Sequence, residues 1–227
     1  MNRRFFFMKS LIVSLLLGLS TLFWVFKAAA LDLDFKEGKL DDWKEVGGNW
    51  QIKNGVLVGT TAGYQDLFLN VKGAEKWTDY TFEVKGKLTA GRIWGVCFRY
   101  VDTMTNYRLN LYDDLDAVNN LYIYKRVSGN FSEVAKVPVG QIDKDTWYTL
   151  NLSITGNAMK AYLNNDLKIE VEDKAGGIKE GTIALEGEGG TTFHVEYVKL
   201  EGNGIPSSKS AVDSSGKLAT LWSALKQ

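Results

Sequence analysis

Three stretches of the chain alternate core-type apolar residues with positions open to polar or aromatic ones: Ile93–Tyr100 (IWGVCFRY), Tyr107–Tyr112 (YRLNLY) and Leu121–Arg126 (LYIYKR). In a β-strand, successive side chains point to opposite faces. With Trp94, Val96, Phe98, Leu109, Leu111 and Ile123 facing a core, Arg99, Arg108, Asn110, Tyr112, Tyr122 and Tyr124 gather on the other face. Tyrosine rings offer apolar area tipped by a hydroxyl. Arginine and asparagine offer fixed donors and acceptors. Such a surface suits a polyhydroxylated ligand. It equally suits a solvated face on which arginine stems pack against rings. Tyr64 and Gln65, on a nearby loop, are secondary candidates.

Catalytic machinery is harder to find. Glycoside hydrolysis needs two carboxyl groups flanking the scissile bond. The densest acidic run, Glu170-Val171-Glu172-Asp173, leads into a glycine-rich turn and reads as a solvated edge. A serine or cysteine nucleophile needs a base, most often histidine. The chain has one histidine, His194, in a strand with no partner in sequence; Asp113 and Asp114 are the other acid–base candidates. One histidine and one cysteine cannot close a tetrahedral zinc shell without carboxylates. Cys97, the single cysteine, lies in an apolar strand and reads as a small buried hydrophobe.

The elements that position these residues are β throughout 31–201. Asn49–Lys53 and Val56–Val58 alternate around Asn54-Gly55, a pair that supplies the positive φ of a tight hairpin. Further alternating runs cover Tyr80–Leu88, Trp147–Ile154, Gly181–Glu186 and Phe193–Leu200. Ser128-Gly129-Asn130, Thr155-Gly156-Asn157 and Asn164-Asn165-Asp166 punctuate them. Pro138 fits a strand end or an edge. Many short strands without helical period predict an antiparallel β-sandwich.

The two ends differ in composition. Residues 1–30 carry Arg3, Arg4 and Lys9, an uncharged run from Leu11 to Phe26, and Ala28-Ala29-Ala30. That is a secretory signal pattern, too short in its apolar run for a comfortable membrane span. We therefore expect export to the medium, periplasm or cell surface, with no span after cleavage. Of the 27 basic residues, four lie in this segment, which leaves 23 against 27 acids, a net charge of −4. Nothing in that balance points to nucleic acid. An exported chain with one cysteine does without disulfides and relies on its core. Residues 202–210 read as a polar linker. In 211–227, Leu218, Leu221, Trp222 and Leu225 fall on one face of a short amphipathic helix, which docks on the sandwich or on a protein partner.

The punctuation Asp34-Phe35, Leu40-Asp41-Asp42-Trp43, Gly48-Asn49-Trp50 and Asn54-Gly55-Val56-Leu57 resembles the opening of concanavalin A-like jelly-roll domains of the laminin-G-like and 3-keto-disaccharide hydrolase types. The likeness continues through Gly95–Tyr100, Asn106–Leu109, Tyr122–Lys125, Ala161–Asn165, Gly181–Leu185 and Glu196–Leu200. It implies two curved sheets, with sugar held on the concave face or its rim. Glucanases of this fold carry Glu-x-Asp-x-x-Glu on one strand, and that motif is absent here. The resemblance implies no required cofactor. It matches Asp34 and Glu196 to positions that hold a structural calcium, although the second is usually Asp. The reading that follows is an exported carbohydrate-binding module without evident catalytic machinery. A 3-keto-glycoside lyase or hydratase and a cell-surface structural or adhesion domain are the alternatives.

Overall fold

The computed structural model describes residues 30–113 and 118–208. These form two antiparallel sheets packed face to face. The first has eight strands. Its order is β13 (Asp166–Glu172), β12 (Ala158–Leu163), β11 (Tyr148–Thr155), β6 (Tyr80–Ala90), β15 (Thr191–Gly202), β4 (Val56–Thr61) and β3 (Asn49–Lys53), with β1 (Ala30–Asp34) also paired to β15. The second has seven. Its order is β10 (Asn130–Gly140), β9 (Asn119–Val127), β8 (Thr105–Tyr112), β7 (Ile93–Asp102), β14 (Thr182–Glu188), β5 (Gln65–Leu69) and β2 (Trp43–Val46). Among the described residues no helix is long and apolar enough to cross a membrane. The signal segment before Ala30 and the helix expected over 211–227 lie outside the described residues.

The hairpins form where the turn chemistry predicts. Asn54 and Gly55 both have positive φ and join β3 to β4; Asn164 and Asn165 do the same between β12 and β13. Pro138 lies on β10, at the edge of its sheet, beside an irregularity in the register. There its missing N–H breaks no ladder from a second neighbour.

The core lies between the sheets. Phe82, Val84 and Leu88 of β6 meet Trp94, Val96 and Phe98 of β7, all essentially inaccessible. Gly86 falls in the inward row of β6, and a Cβ there would sit 2.6 Å from the Trp94 ring. The glycine thus makes the slot that the indole fills. Residues 202–208, expected as linker, pack on the sandwich: Ile205 is buried, Trp77 Nε1 donates to the Gly204 carbonyl, and Ser208 Oγ accepts from the Asp32 N–H. One buried apolar side chain and hydrogen bonds at Gly204 and Ser208 hold this segment against the sandwich, despite its polar composition.

Candidate functional site

The outer face of the seven-stranded sheet is the hollow one. Asp66, Cys97, Asn106, Arg108, Asn110 and Glu186 all point away from the core, yet each is fully buried. Among the described residues no other sheet covers them. β5 and β10 stand five strands apart, about 24 Å across a flat sheet. The Tyr64 ring just before β5 nevertheless lies 5.3 Å from the Phe131 ring on β10. Rings from the turn before β5 and from β10 thus reach each other over the Arg108 and Arg126 guanidiniums.

Cross-strand register places the residues in this hollow. Arg108 faces Tyr124, Asn110 faces Tyr122, and Asn110 faces Gly95 on the other side. Gly95 in turn faces Glu186, and Glu186 faces Asp66. Two features stand out. The first is an unbroken strip of rings: Tyr112 to Tyr122 at 4.6 Å, Tyr122 to Tyr124 at 5.0 Å, Tyr124 to Phe131 at 6.2 Å, and Phe131 to Tyr64. The second is the charged floor. Arg108 pairs through Nη1 with Glu186 and, at 3.2 Å, with Glu188; its Nε donates to Asn106 Oδ1 at 3.0 Å. The guanidiniums of Arg108 and Arg126 both stack against Tyr64 and Phe131, at 4.5–5.4 Å.

These surroundings shift the titrating groups. Burial, reinforced by the Glu186 charge, pushes Asp66 and Glu188 up to about 7 each. Burial alone would lower Arg108, but Glu186, with further help from Cys97, Asp66 and Glu188, outweighs it and holds the guanidinium charged. Burial raises the Tyr112 and Tyr64 hydroxyls, so both stay neutral donors. The Cys97 thiol is likewise pushed well up by burial.

The structure brings together Arg108, Asn110, Tyr112, Tyr122 and Tyr124 as the alternation predicts, and the loop candidate Tyr64 joins them through Phe131 and Arg108. Arg99 is the exception. A bulge in β7 gives Arg99 a positive φ of 43° and shifts the register between Phe98 and Asp102. Its side chain turns to the end of the sandwich and donates to the carbonyls of Thr78, Gly156 and Ile178. Tyr100 takes the outer-face position instead, with its hydroxyl 3.1 Å from Asp66 Oδ2. Gln65 accepts the Ala62 N–H and closes the turn that carries Tyr64.

His194 lies on the outer face of the other sheet, because its neighbours Phe193 and Val195 fill the core. There it borders a cleft with Lys53, Lys87 and Trp147, and burial and the Lys87 charge lower its pKa. It cannot serve the hollow. Asp113 is held by Lys144, and its N–H donates to the Arg92 carbonyl. Asp114 lies outside the described residues. Asp34 binds Lys36 and Glu196 binds Lys85, so each of the two carboxylates matched to a calcium has its own lysine.

Sequence reading missed Asp66, Glu186, Glu188, Arg126 and Phe131. Glu186 and Glu188 share a strand face at i, i+2, which was a readable signal; the flanking glycines disguised it. Asp66 gains its role only through the strand order that sets β5 beside β14, and Phe131 only through its ring contact with Tyr64.

A family model described as the 3-keto-alpha-glucoside-1,2-lyase-like domain matches residues 32–200. The chain belongs to this family. Among solved structures, this 3-keto-alpha-glucoside-1,2-lyase-like domain is similar to the carbohydrate-binding module CBM66 from Bacillus subtilis, at 22% identity over 71% of this chain and 96% of that one, with a TM-score of 0.63. It is similar to a putative glycosyl hydrolase from Parabacteroides distasonis, at 14% identity over 75% and 93%, TM-score 0.54. It is also similar to LamAcat from Zobellia galactanivorans, at 14% identity over 78% and 98%, TM-score 0.55. At these identities the likeness establishes a shared fold. No curated protein matches the chain.

Proposed function

We propose that the hollow of the seven-stranded sheet binds a carbohydrate, and that the protein acts as an exported glycan-binding module. The observation that carries this reading is the ring strip Tyr112–Tyr122–Tyr124–Phe131–Tyr64 beside the buried Arg108–Glu186–Glu188 floor. A pyranose has apolar C–H faces and a girdle of hydroxyls. The rings meet the first; the tyrosine hydroxyls and the partly accessible Glu188 carboxylate meet the second, while the inaccessible Arg108–Glu186 pair holds the floor beneath them. Family membership and the carbohydrate-related folds it resembles support the same reading. A panel of α-glucosides, their 3-keto derivatives and plain polysaccharides, titrated calorimetrically, tests it. Binding that is lost in Tyr124→Ala with folding intact is expected. No heat from any member at millimolar ligand would reject the reading.

One observation favours a second reading, elimination on a 3-keto-glycoside. Glu188, titrating at about 7 and still 14% accessible at its side chain, is a carboxylate of basic character beside the ring strip. A keto group at C3 acidifies the C2–H bond. Glu188 would take that proton, the C1–C2 double bond would form, and the C1–O electron pair would leave with the aglycone. Release of aglycone from a 3-keto-glucoside by wild type and its loss in Glu188→Gln would support this. Equal inactivity of both proteins leaves only the binding module.

A further inference from the structure

At the floor of the hollow, Asp66 and Glu186 stand directly opposite each other on β5 and β14, both with no accessible surface. Asp66 Oδ2 accepts the Tyr100 hydroxyl, and Glu186 Oε2 holds Arg108. Their other oxygens, Asp66 Oδ1 and Glu186 Oε1, are buried without a hydrogen bond. A buried carboxylate oxygen in that state keeps its desolvation penalty uncompensated, and two on facing strands stand close to each other as well.

A third orphan points at the same place. Gly95 lies between Glu186 and Asn110 in the cross-strand row. A Cβ on Gly95 would sit 2.4 Å from Asn110 Oδ1, so the carboxamide lies across the glycine toward Glu186. Asn110 is fully buried, and neither of its amide atoms makes a hydrogen bond of acceptable geometry. Cys97, two residues after Gly95 and on the same face, completes the group. One donor atom each from Asp66, Cys97 and Glu186 lies within 4.8 Å of the others.

We propose that Asp66, Glu186 and Cys97, with the Asn110 amide oxygen as a fourth donor, hold a divalent transition-metal ion of the zinc type. Two carboxylates plus a thiolate form a mixed oxygen–sulfur set. The sulfur selects against calcium and magnesium, which take oxygen shells. Donors in a tetrahedral shell with bonds of about 2.0–2.3 Å lie about 3.5 Å apart, which modest side-chain movement achieves from the separations here. On binding, the Cys97 S–H loses its proton to solvent and the S–metal bond forms. Glu186 then bridges the ion and Arg108. The site lies on β5, β14 and β7, beside the ring strip of β8–β10, and does not depend on sugar binding there.

The test uses the full chain, treated with chelator and then titrated with Co2+ without any glycan. One equivalent should bring up a thiolate-to-cobalt charge-transfer band in the near ultraviolet, and Zn2+ should bleach it. Cys97→Ser should abolish the band, and Asp66→Asn should weaken cobalt uptake at least tenfold, with circular dichroism confirming that both variants fold. Thermal unfolding of the wild type should shift upward with Zn2+ and not with Ca2+. No cobalt spectrum at millimolar metal would overturn the proposal. A band unchanged in Cys97→Ser would overturn it equally.

Discussion

Replacing Arg108 with methionine probes the charged floor directly. The side chain is fully buried, and its counter-charges Glu186 and Glu188 are 0% and 14% accessible. Methionine keeps much of the volume but removes the only guanidinium that reaches both carboxylates by a hydrogen bond among the described residues. Breaking a buried pair by removing one partner costs about 3–5 kcal/mol, because the survivor keeps its desolvation penalty. That is a large share of the 5–15 kcal/mol typical of a domain. Urea unfolding followed by fluorescence of the seven tryptophans measures it. With an m-value of about 2 kcal/mol/M, a 4 kcal/mol loss lowers the midpoint by about 2 M. The double variant Arg108→Met/Glu186→Gln should recover at least half of the loss, since it no longer strands a buried charge. In chelator-containing buffer the loss should also be smaller at pH 5 than at pH 8, because Glu188 and Asp66, titrating near 7, are protonated at the lower pH. A loss below about 1 kcal/mol, or strict additivity in the double variant, would refute the reasoning that this pair is dry and coupled.

Three further outcomes follow from the same structure. In the chelated wild type, stability should fall as pH rises from about 4 to about 7: the folded state holds protons on Asp66 and Glu188 that the unfolded chain has released, so deprotonation favours unfolding. Asp66→Asn should flatten that slope in pH-dependent urea melts. Gly86→Ala should destabilise by about 1–3 kcal/mol, because the new methyl meets the Trp94 ring at 2.6 Å and the indole has no free space to move into. Tyr122→Ala should weaken glycan affinity roughly tenfold, the scale of removing one ring from a binding surface, and calorimetry reads it.

The fold was largely legible in the sequence because alternation and turn chemistry are local. Asn54-Gly55 and Asn164-Asn165 dictate their hairpins through positive φ, and the inward rows of β6, β7 and β8 follow from period two. The ring-bearing part of the site was legible for the same reason: Arg108, Asn110, Tyr112, Tyr122 and Tyr124 share a face. Arg99 was misplaced because a bulge inserts an extra residue that no local pattern announces. The acidic floor stayed hidden because Asp66, Glu186 and Arg108 come from strands far apart in sequence that only the sheet order β8-β7-β14-β5 brings together. His194 misled in the other direction, since being the one histidine says nothing about which sheet carries it.

Backbone amide chemical-shift mapping, with the α-glucosides and 3-keto-glucosides titrated into labelled protein, tests the central claim most directly. The account predicts shifts concentrated at 108–112, 120–124 and 186–188, around the outer face of the seven-stranded sheet. Shifts confined to β4, β6 and β15 near Lys87, Trp147 and His194 would place the ligand on the opposite surface and contradict it.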